Sequence, residues 1–519
     1  MKITTLDTTL RDGAGSSRVS FSNADKLKIA HLLDMLGVDL IEVGNPAYNS
    51  KNAAFFEALP SLSLQHAHIA VFGSTCHPGT AAANDEALLA MANCGARDAV
   101  LFGKAWDLHV TDVLKTSLEE NLSIIGDSIR FLRAHDMRVI FDAEHFFDGY
   151  KKNPAYAIAV LSAAEAAGAD TLVLCDTCGG CFPDEIFQIT SLVAEKMQST
   201  IGIHAHNDSG FAVSNTVLAA AAGARHVQGT INGVGERCGN ANLATVIANL
   251  QLKRGYSMIP AENMRKLTPI SRAVADISNI SVRNLPYVSA EAFSHKAGMH
   301  IDGVIKNNES FEHIPPEAVG NRRHLLVSDI AGRSAVCHVL ERILPGVPRD
   351  DAAVERILSR LKTLEYEGYQ FDGADASFEL VVRRELGLYH PHFSIVLCRL
   401  FNEHDRGRES SYSSVLIKVN VDGREEITAA DADGPVHAVD IALRKALEPF
   451  FPSLSNVRLT DYKVRILNSE ATGSLTRVLM ESADTEKSWT TVGVSKDIIE
   501  ASLAALVDSI EYTLAHKPD

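Results

Sequence analysis

Short apolar, β-branched runs recur along the first half of the chain: Ile3–Leu6, Asp39–Val43, His68–Phe72, Ala99–Phe102, Arg138–Phe141, Thr171–Leu174, Ile201–His204 and Val227–Ile231. Between them lie amphipathic stretches such as Asn23–Leu36, Leu118–His135 and Asn153–Ala167, with apolar residues at helical spacing. Strand and helix alternating every ~30 residues predict a parallel sheet covered on both faces. Eight such units in about 250 residues predict a closed (β/α)8 TIM barrel. The competing architecture is an open doubly wound sheet, which normally carries a Gly-rich phosphate turn after its first strand. Here that strand leads instead into Asp7-Thr8-Thr9-Leu10-Arg11-Asp12-Gly13.

The pattern changes twice along the chain. The barrel is assigned to residues 1–260. Residues 261–371 read as largely helical linker subdomains. From 372 to 519, strand-like runs (Ser414–Asn420, Lys463–Leu467) alternate with helices (Pro435–Leu447, Ile498–Ala515), which predicts a separate α/β domain. A chain of 519 residues exceeds what one hydrophobic core supports, so several domains are expected.

Composition narrows the function classes. With 46% hydrophobic and 22% charged residues, the chain is a folded one rather than a disordered one. A net charge of −16 without basic runs argues against nucleic-acid binding, which needs a positive field. No run reaches the ~18 apolar residues of a membrane span. The start of the chain lacks the basic and apolar segments of a signal peptide. The expectation is a cytoplasmic protein, and eight scattered cysteines fit it.

Polar residues gather at the predicted strand ends: Arg11 and Asp12 after the first strand, Glu42 at the second, Asp142 and Glu144 at the fifth, Asp176 and Thr177 at the sixth, His204, His206 and Asn207 at the seventh, Asn232 at the eighth. In a barrel these ends share one mouth, where active sites sit. His204-Ala205-His206 places two imidazoles on one side of a strand. With Asp12 they make a two-His, one-carboxylate set suited to Mn, Fe, Co or Zn, with Mg also possible. Cys175, Cys178 and Cys181 have knuckle-like spacing, but no second cysteine pair completes a cluster, so a shaped Gly-Gly turn is the stronger reading. The Asn232–Ala241 loop is glycine-rich without the dinucleotide fingerprint. Phe293–Asp302 is a packed turn or a catalytic arm, and spacing alone does not choose.

Taken together, Asp7–Gly13, Phe102–Asp107, Asp142–Tyr150, His204–Asp208, Asn232–Ala241, Ser294–Asp302, Tyr366–Tyr369, Ala374–Phe378 and Trp489–Ser495 resemble the citramalate and 2-isopropylmalate synthase family over nearly the whole chain. The resemblance implies an acyltransferase that condenses acetyl-CoA with a small 2-oxo acid, pyruvate by default, and releases CoA. It implies a divalent metal held by Asp12, His204 and His206 with Asn240 close by. Arg11 would hold the developing oxyanion, and Thr177 the substrate carboxylate, beside Cys178. Glu144, His300 and Asp302 would serve proton removal from acetyl-CoA, with His300 supplied by a partner subunit. It also implies a homodimer whose C-terminal domain takes an amino-acid effector, typically isoleucine.

The chain departs from the family pattern at Gly15, Asn45–Tyr48, Cys76-His77 and Cys178, which stands where Asn is usual. All four follow predicted strands and are expected near the mouth. They bring in larger or more polar oxo acids, such as 2-oxoisovalerate or phosphonopyruvate, as alternatives. A metal-dependent lyase or aldolase on the same barrel, and a non-catalytic amino-acid sensor, are the readings from other classes.

Overall fold

The computed structural model describes residues 1–295, 298–325, 337, 340–341, 351–371, 373–403, 412–467, 474–484 and 487–516. Lys296 and Ala297 of the His-rich segment, and the expected boundary residue Asp372, lie outside these. The chain forms two compact units, Met1–Phe293 with Ile314–Arg323, and Ser294–His313 with His324–Asp519.

The first unit holds eight parallel strands: β1 (Thr4–Asp7), β2 (Leu40–Val43), β3 (His68–Ser74), β4 (Asp98–Lys104), β5 (Arg138–Glu144), β6 (Thr171–Asp176), β7 (Thr200–Ala205) and β8 (His226–Gly229). They pair in chain order, and β1 closes on β8 with Thr4 opposite His226 and Asp7 opposite Gly229. The sheet is therefore a closed barrel rather than the open alternative. Alternation along each strand sorts the side chains. Leu6, Leu40, Ala70, Val100, Ile140 and Val173 form one buried cluster with Cys175, while Ile41, Val71, Leu101, Phe141 and Leu174 join the larger core with the helices. The predicted helix Asn23–Leu36 is observed at those limits. Ser22 and Asp25 form a reciprocal capping box at its start, and Gly37 ends it in the left-handed conformation at φ 89°.

Several strands run beyond their apolar pattern. Lys104, Glu144 and Asp176 remain in strand because a parallel neighbour bonds the backbone whatever the side chain. The eighth strand is shorter than expected. Ile231–Gly233 turns away, with Asn232 at φ 64°.

Asp7 ends β1 fully buried and accepts hydrogen bonds from the Thr9 amide (2.9 Å) and hydroxyl (3.0 Å). Burial outweighs these bonds and pushes its carboxyl up to about 7. The unfolded carboxyl releases its proton near pH 4, so the native state binds more protons between about pH 4 and 7, and stability falls as pH rises through that window. Asp7→Asn is expected to flatten this slope, read as the urea midpoint at about pH 5 and about pH 8. An unchanged slope would assign the dependence to another group.

In the second unit, two three-stranded antiparallel sheets each carry a helix. Ser394–Glu403, Tyr412–Val421 and Arg424–Ala432 precede the helix Pro435–Leu447. Arg458–Ile466, Thr476–Ala483 and Ser488–Ser495 precede Ile498–His516. Strict alternation puts Val415, Ile417, Val419 and Val421 inside with Leu443, Leu447 and Ile510. Among the described residues, no helix is long and apolar enough to cross a membrane.

Candidate active site and metal centre

Asp12, His204 and His206 meet where β1 and β7 end, on either side of β8. His204 Nε2 lies 3.2 Å from Asp12 Oδ2, His206 Nε2 lies 3.7 Å from it, and the two Nε2 atoms are 3.3 Å apart. All three residues are buried.

The ring of His204 is oriented from behind. Gln228 on β8 donates from Nε2 to Asp142 Oδ1 (2.8 Å), so its Oε1 is the atom that faces His204 Nδ1, also at 2.8 Å. That assigns the ring proton to Nδ1 and leaves the Nε2 lone pair pointing at Asp12 and His206. A lone pair, a carboxylate oxygen and a second imidazole nitrogen crowded together repel one another unless a cation lies between them. Two further observations fit a cation. Asn240 Oδ1 is buried without a hydrogen-bond partner. The Asn240 amide, through Nδ2, lies 2.9 Å from Asp12 Oδ2 and 3.1 Å from His204 Nε2. Gly235 makes room for it, since a Cβ there would lie 1.8 Å from Asn240 Oδ1.

The electrostatics agree with a cation site. Burial alone would raise the Asp12 carboxyl, but Arg11 and then His204 outweigh it and hold it well below the usual range. Burial and neighbouring His204 push His206 down to about 4, leaving a neutral ligand nitrogen. Burial disfavours a charged His204, yet Asp12 outweighs it and raises the ring, so a proton and a metal compete for the same nitrogen.

Arg11 is fixed by its neighbours. Its Nε donates to Glu42 Oε2 at 2.6 Å, Nη1 lies 3.4 Å from Asp12 Oδ2, and the guanidinium carbon sits 3.8 Å above the Phe72 ring centre. Burial works against its charge, but Glu42 and then Asp12 keep it firmly protonated. A cavity of about 170 Å³ opens beside it, lined also by Asp12, His204, His206, Glu144, Thr177, Asp142, Glu236, Cys175 and the stacked pair Phe72 and Phe102 (5.1 Å, 15°). Glu144 pairs with Lys104, its neighbour across the sheet. Thr177 Oγ1 accepts from the His145 amide at 2.8 Å, which leaves its own proton free to be donated.

The structure thus brings Arg11, Asp12, Glu144, Thr177, His204 and His206 around one cavity, with Asn240 against the ligands. Cys178 does not line it. Its thiol turns to His145 Nδ1 at 3.6 Å, and the loop continues through Gly179 at φ 62°. His300 and Asp302 belong to the second unit, on the helix Gly298–Lys306. There His300 is exposed and stacks on Phe311 (4.3 Å), and Asp302 pairs with Lys306 at 2.6 Å. The knuckle spacing is not used as such: Cys175 lies inside the barrel and Cys181 faces Lys151.

The departures from the family pattern were expected at the mouth, but none lines this cavity. Asn45 is buried and bonds the Ala87 carbonyl, Tyr48 is exposed beside Ser74, and the Cys76 amide bonds Ser128. Gly15 borders a neighbouring groove with Lys26 and Lys51.

Sequence reasoning missed Gln228 and Phe72 as site residues, used Phe102 and Lys104 only as part of a family motif, and used Glu42 and Asp142 only as markers of strand ends. A glutamine inside the short buried strand His226-Val227-Gln228-Gly229 was the available signal. Gln228→Leu is expected to cost roughly 10–100-fold in metal affinity, because it removes the group that orients His204. Metal titration of the stripped protein checks this, and unchanged affinity would show that the ring needs no such support.

Comparisons with known proteins agree with this arrangement. The HMGL-like family profile matches residues 2–274, that of the homocitrate synthase post-HMGL domain-like family residues 287–368, and that of the LeuA allosteric (dimerisation) domain residues 372–514. An (R)-citramalate synthase of Aquifex aeolicus is 47% identical over 99% of this chain and 98% of its own. Those of Sulfolobus acidocaldarius (48%; 98% and 96%) and of Synechocystis (47%; 98% and 95%) are similar to the same extent. A barrel with a two-His, one-Asp centre and this full-length similarity place the chain in the (R)-citramalate synthase family of HMGL-like enzymes.

Proposed function

We propose that the protein is an acyltransferase that condenses acetyl-CoA with pyruvate to give citramalate and free CoA. Full-length similarity to (R)-citramalate synthases supports this. The observation that carries it is one small cavity uniting Asp12, His204 and His206 with Arg11, Thr177 and an aromatic wall. Phe72 and Phe102 give this cavity of about 170 Å³ an apolar wall, which suits a small 2-oxo acid such as pyruvate. No departure from the family pattern alters that wall.

Asp12, His204 and His206 would hold a divalent ion, Mn, Mg, Zn or Co, with Asn240 beside it. Such an ion, when bound, polarises the keto group of the oxo acid. Thr177 donates its hydroxyl proton to the substrate carboxylate. Arg11, held against Glu42 and Phe72, meets the negative charge that develops on the carbonyl oxygen. The acetyl methyl group is a weak acid, so its deprotonation needs a positioned base. In this reading His300, with Asp302 and Glu144, supplies it, His300 acting from a second copy of the chain in a homodimer. Cys178 takes no part in binding the oxo acid. The division 1–260, 261–371 and 372–519 then separates barrel, linker with the His300 arm, and a regulatory domain for an amino acid such as isoleucine. A biosynthetic enzyme of this kind belongs in the cytoplasm.

The test is release of free thiol from acetyl-CoA with a panel of 2-oxo acids. Pyruvate is expected to give the highest kcat/KM, with a rate lowered by isoleucine. Faster turnover of phosphonopyruvate or 2-oxoisovalerate would overturn the substrate assignment. Cleavage of citramalate without thiol release would favour the lyase.

A further inference from the structure

A second group of side chains, separate from the centre built on Asp12, has the geometry of a metal site. His145 begins the short helix Phe146–Lys152, Asp148 lies in its first turn, and Cys178 comes from the loop after β6. Their ligand atoms all lie within 4.8 Å of one another. His145 Nδ1 is 3.2 Å from Asp148 Oδ2 and 3.6 Å from Cys178 Sγ. Tetrahedral zinc, with bonds of about 2.0 Å to N and O and 2.3 Å to S, requires N···O near 3.3 Å and N···S near 3.5 Å. The observed edges match both.

The three residues are held in place by their neighbours. His145 sits at φ 58°, its amide is bonded to Thr177, and its ring packs on His109 at 4.2 Å. His109 stacks in turn on Trp106 at 5.3 Å. Gly179 cannot carry a side chain, because a Cβ there would lie 2.8 Å from the Asp208 amide, so the loop bearing Cys178 has one path. The nearby cations are engaged elsewhere: Arg237 bonds Asp208, and Lys151 bonds Cys181 and Glu185. Cys178 is exposed, which leaves the fourth position to water.

We propose that His145, Asp148 and Cys178 bind a second, thiophilic divalent cation of the zinc class. An Asn or Ser at position 178 would offer no thiolate, so the site depends on Cys178. Its position is adjacent to the reaction centre: Glu144 precedes His145 and Thr177 precedes Cys178. The ion would tie together the loops that follow β5 and β6, holding those two residues at the cavity. Binding displaces the thiol proton to solvent and forms an S–metal bond, without redox change.

The test uses full-length protein loaded with Co²⁺ and, separately, dialysed against buffered Zn²⁺. The wild type is expected to show thiolate-to-cobalt charge transfer in the near ultraviolet. His204→Ala should keep that band, while Cys178→Asn and Cys178→Ser should lose it along with one equivalent of zinc. Circular dichroism checks that each variant is folded. Absence of the band in the wild type, or its full retention in both Cys178 variants, would overturn the proposal.

Discussion

Alanine at Asp12 or at His204 is expected to abolish metal retention and to lower turnover by ~10³-fold or more. A bound ion contributes several kcal/mol of transition-state charge stabilisation, and each change removes one of its ligands. The two variants should differ in their side effects. Removing Asp12 takes away the acceptor near Arg11 Nη1 but leaves the Glu42 contact, so the guanidinium keeps its anchor. Removing His204 leaves Gln228 Oε1 buried without its donor, at a cost of about 1–3 kcal/mol of stability. Metal analysis by mass spectrometry, thiol-release kinetics and thermal melts separate these effects. A metal-free His204→Ala protein with wild-type rates would rule out the metal assignment.

The second large effect is expected at Arg11. Arg11→Lys keeps the charge but loses the planar fork that reaches Glu42 and Asp12 together and stacks on Phe72. Turnover should fall by ~10²–10³-fold, the usual loss for one oxyanion donor. KM for the oxo acid should change much less. A fall under ~10-fold with a folded protein would mean that another group meets the oxyanion.

The parts of this molecule legible in the sequence are those with a local signature. The His204-Ala205-His206 spacing and the Arg11-Asp12 pair needed only strand alternation and strand order to be brought together. The helix Asn23–Leu36 is bounded by its own caps, and Pro435–Leu447 is marked by its first-turn proline and its periodicity. Sheet register is not local. Lys104 and Glu144 pair because β4 and β5 place them side by side, and no spacing in the chain reports that. Gln228 reads as an interruption of an apolar strand until its two partners, Asp142 and His204, are seen across the barrel. Cys178 follows Thr177, which lines the cavity, but its own thiol meets His145 instead, and no spacing in the chain reports that contact. In the C-terminal half, the strand Thr476–Ala483 carries only the three-residue apolar run Val478–Met480, and its other buried positions are Thr476 and Ser482, so an apolar run does not mark its length.

The chain from Asp142 through Gln228 to His204 lies within the wall of the barrel, and its order is set by backbone register rather than by anything bound at the mouth. The orientation of His204 is consequently set by the barrel wall. Small zinc domains fold around their ion and unfold when it is withdrawn. Here the fold rests on the barrel core and the His204 ring on Gln228, so an enzyme emptied by chelation should keep its melting cooperativity. The identity of the ion carried in the cell would then reflect which metal is available during synthesis and exchange, with the barrel acting as a rigid sieve for size and charge.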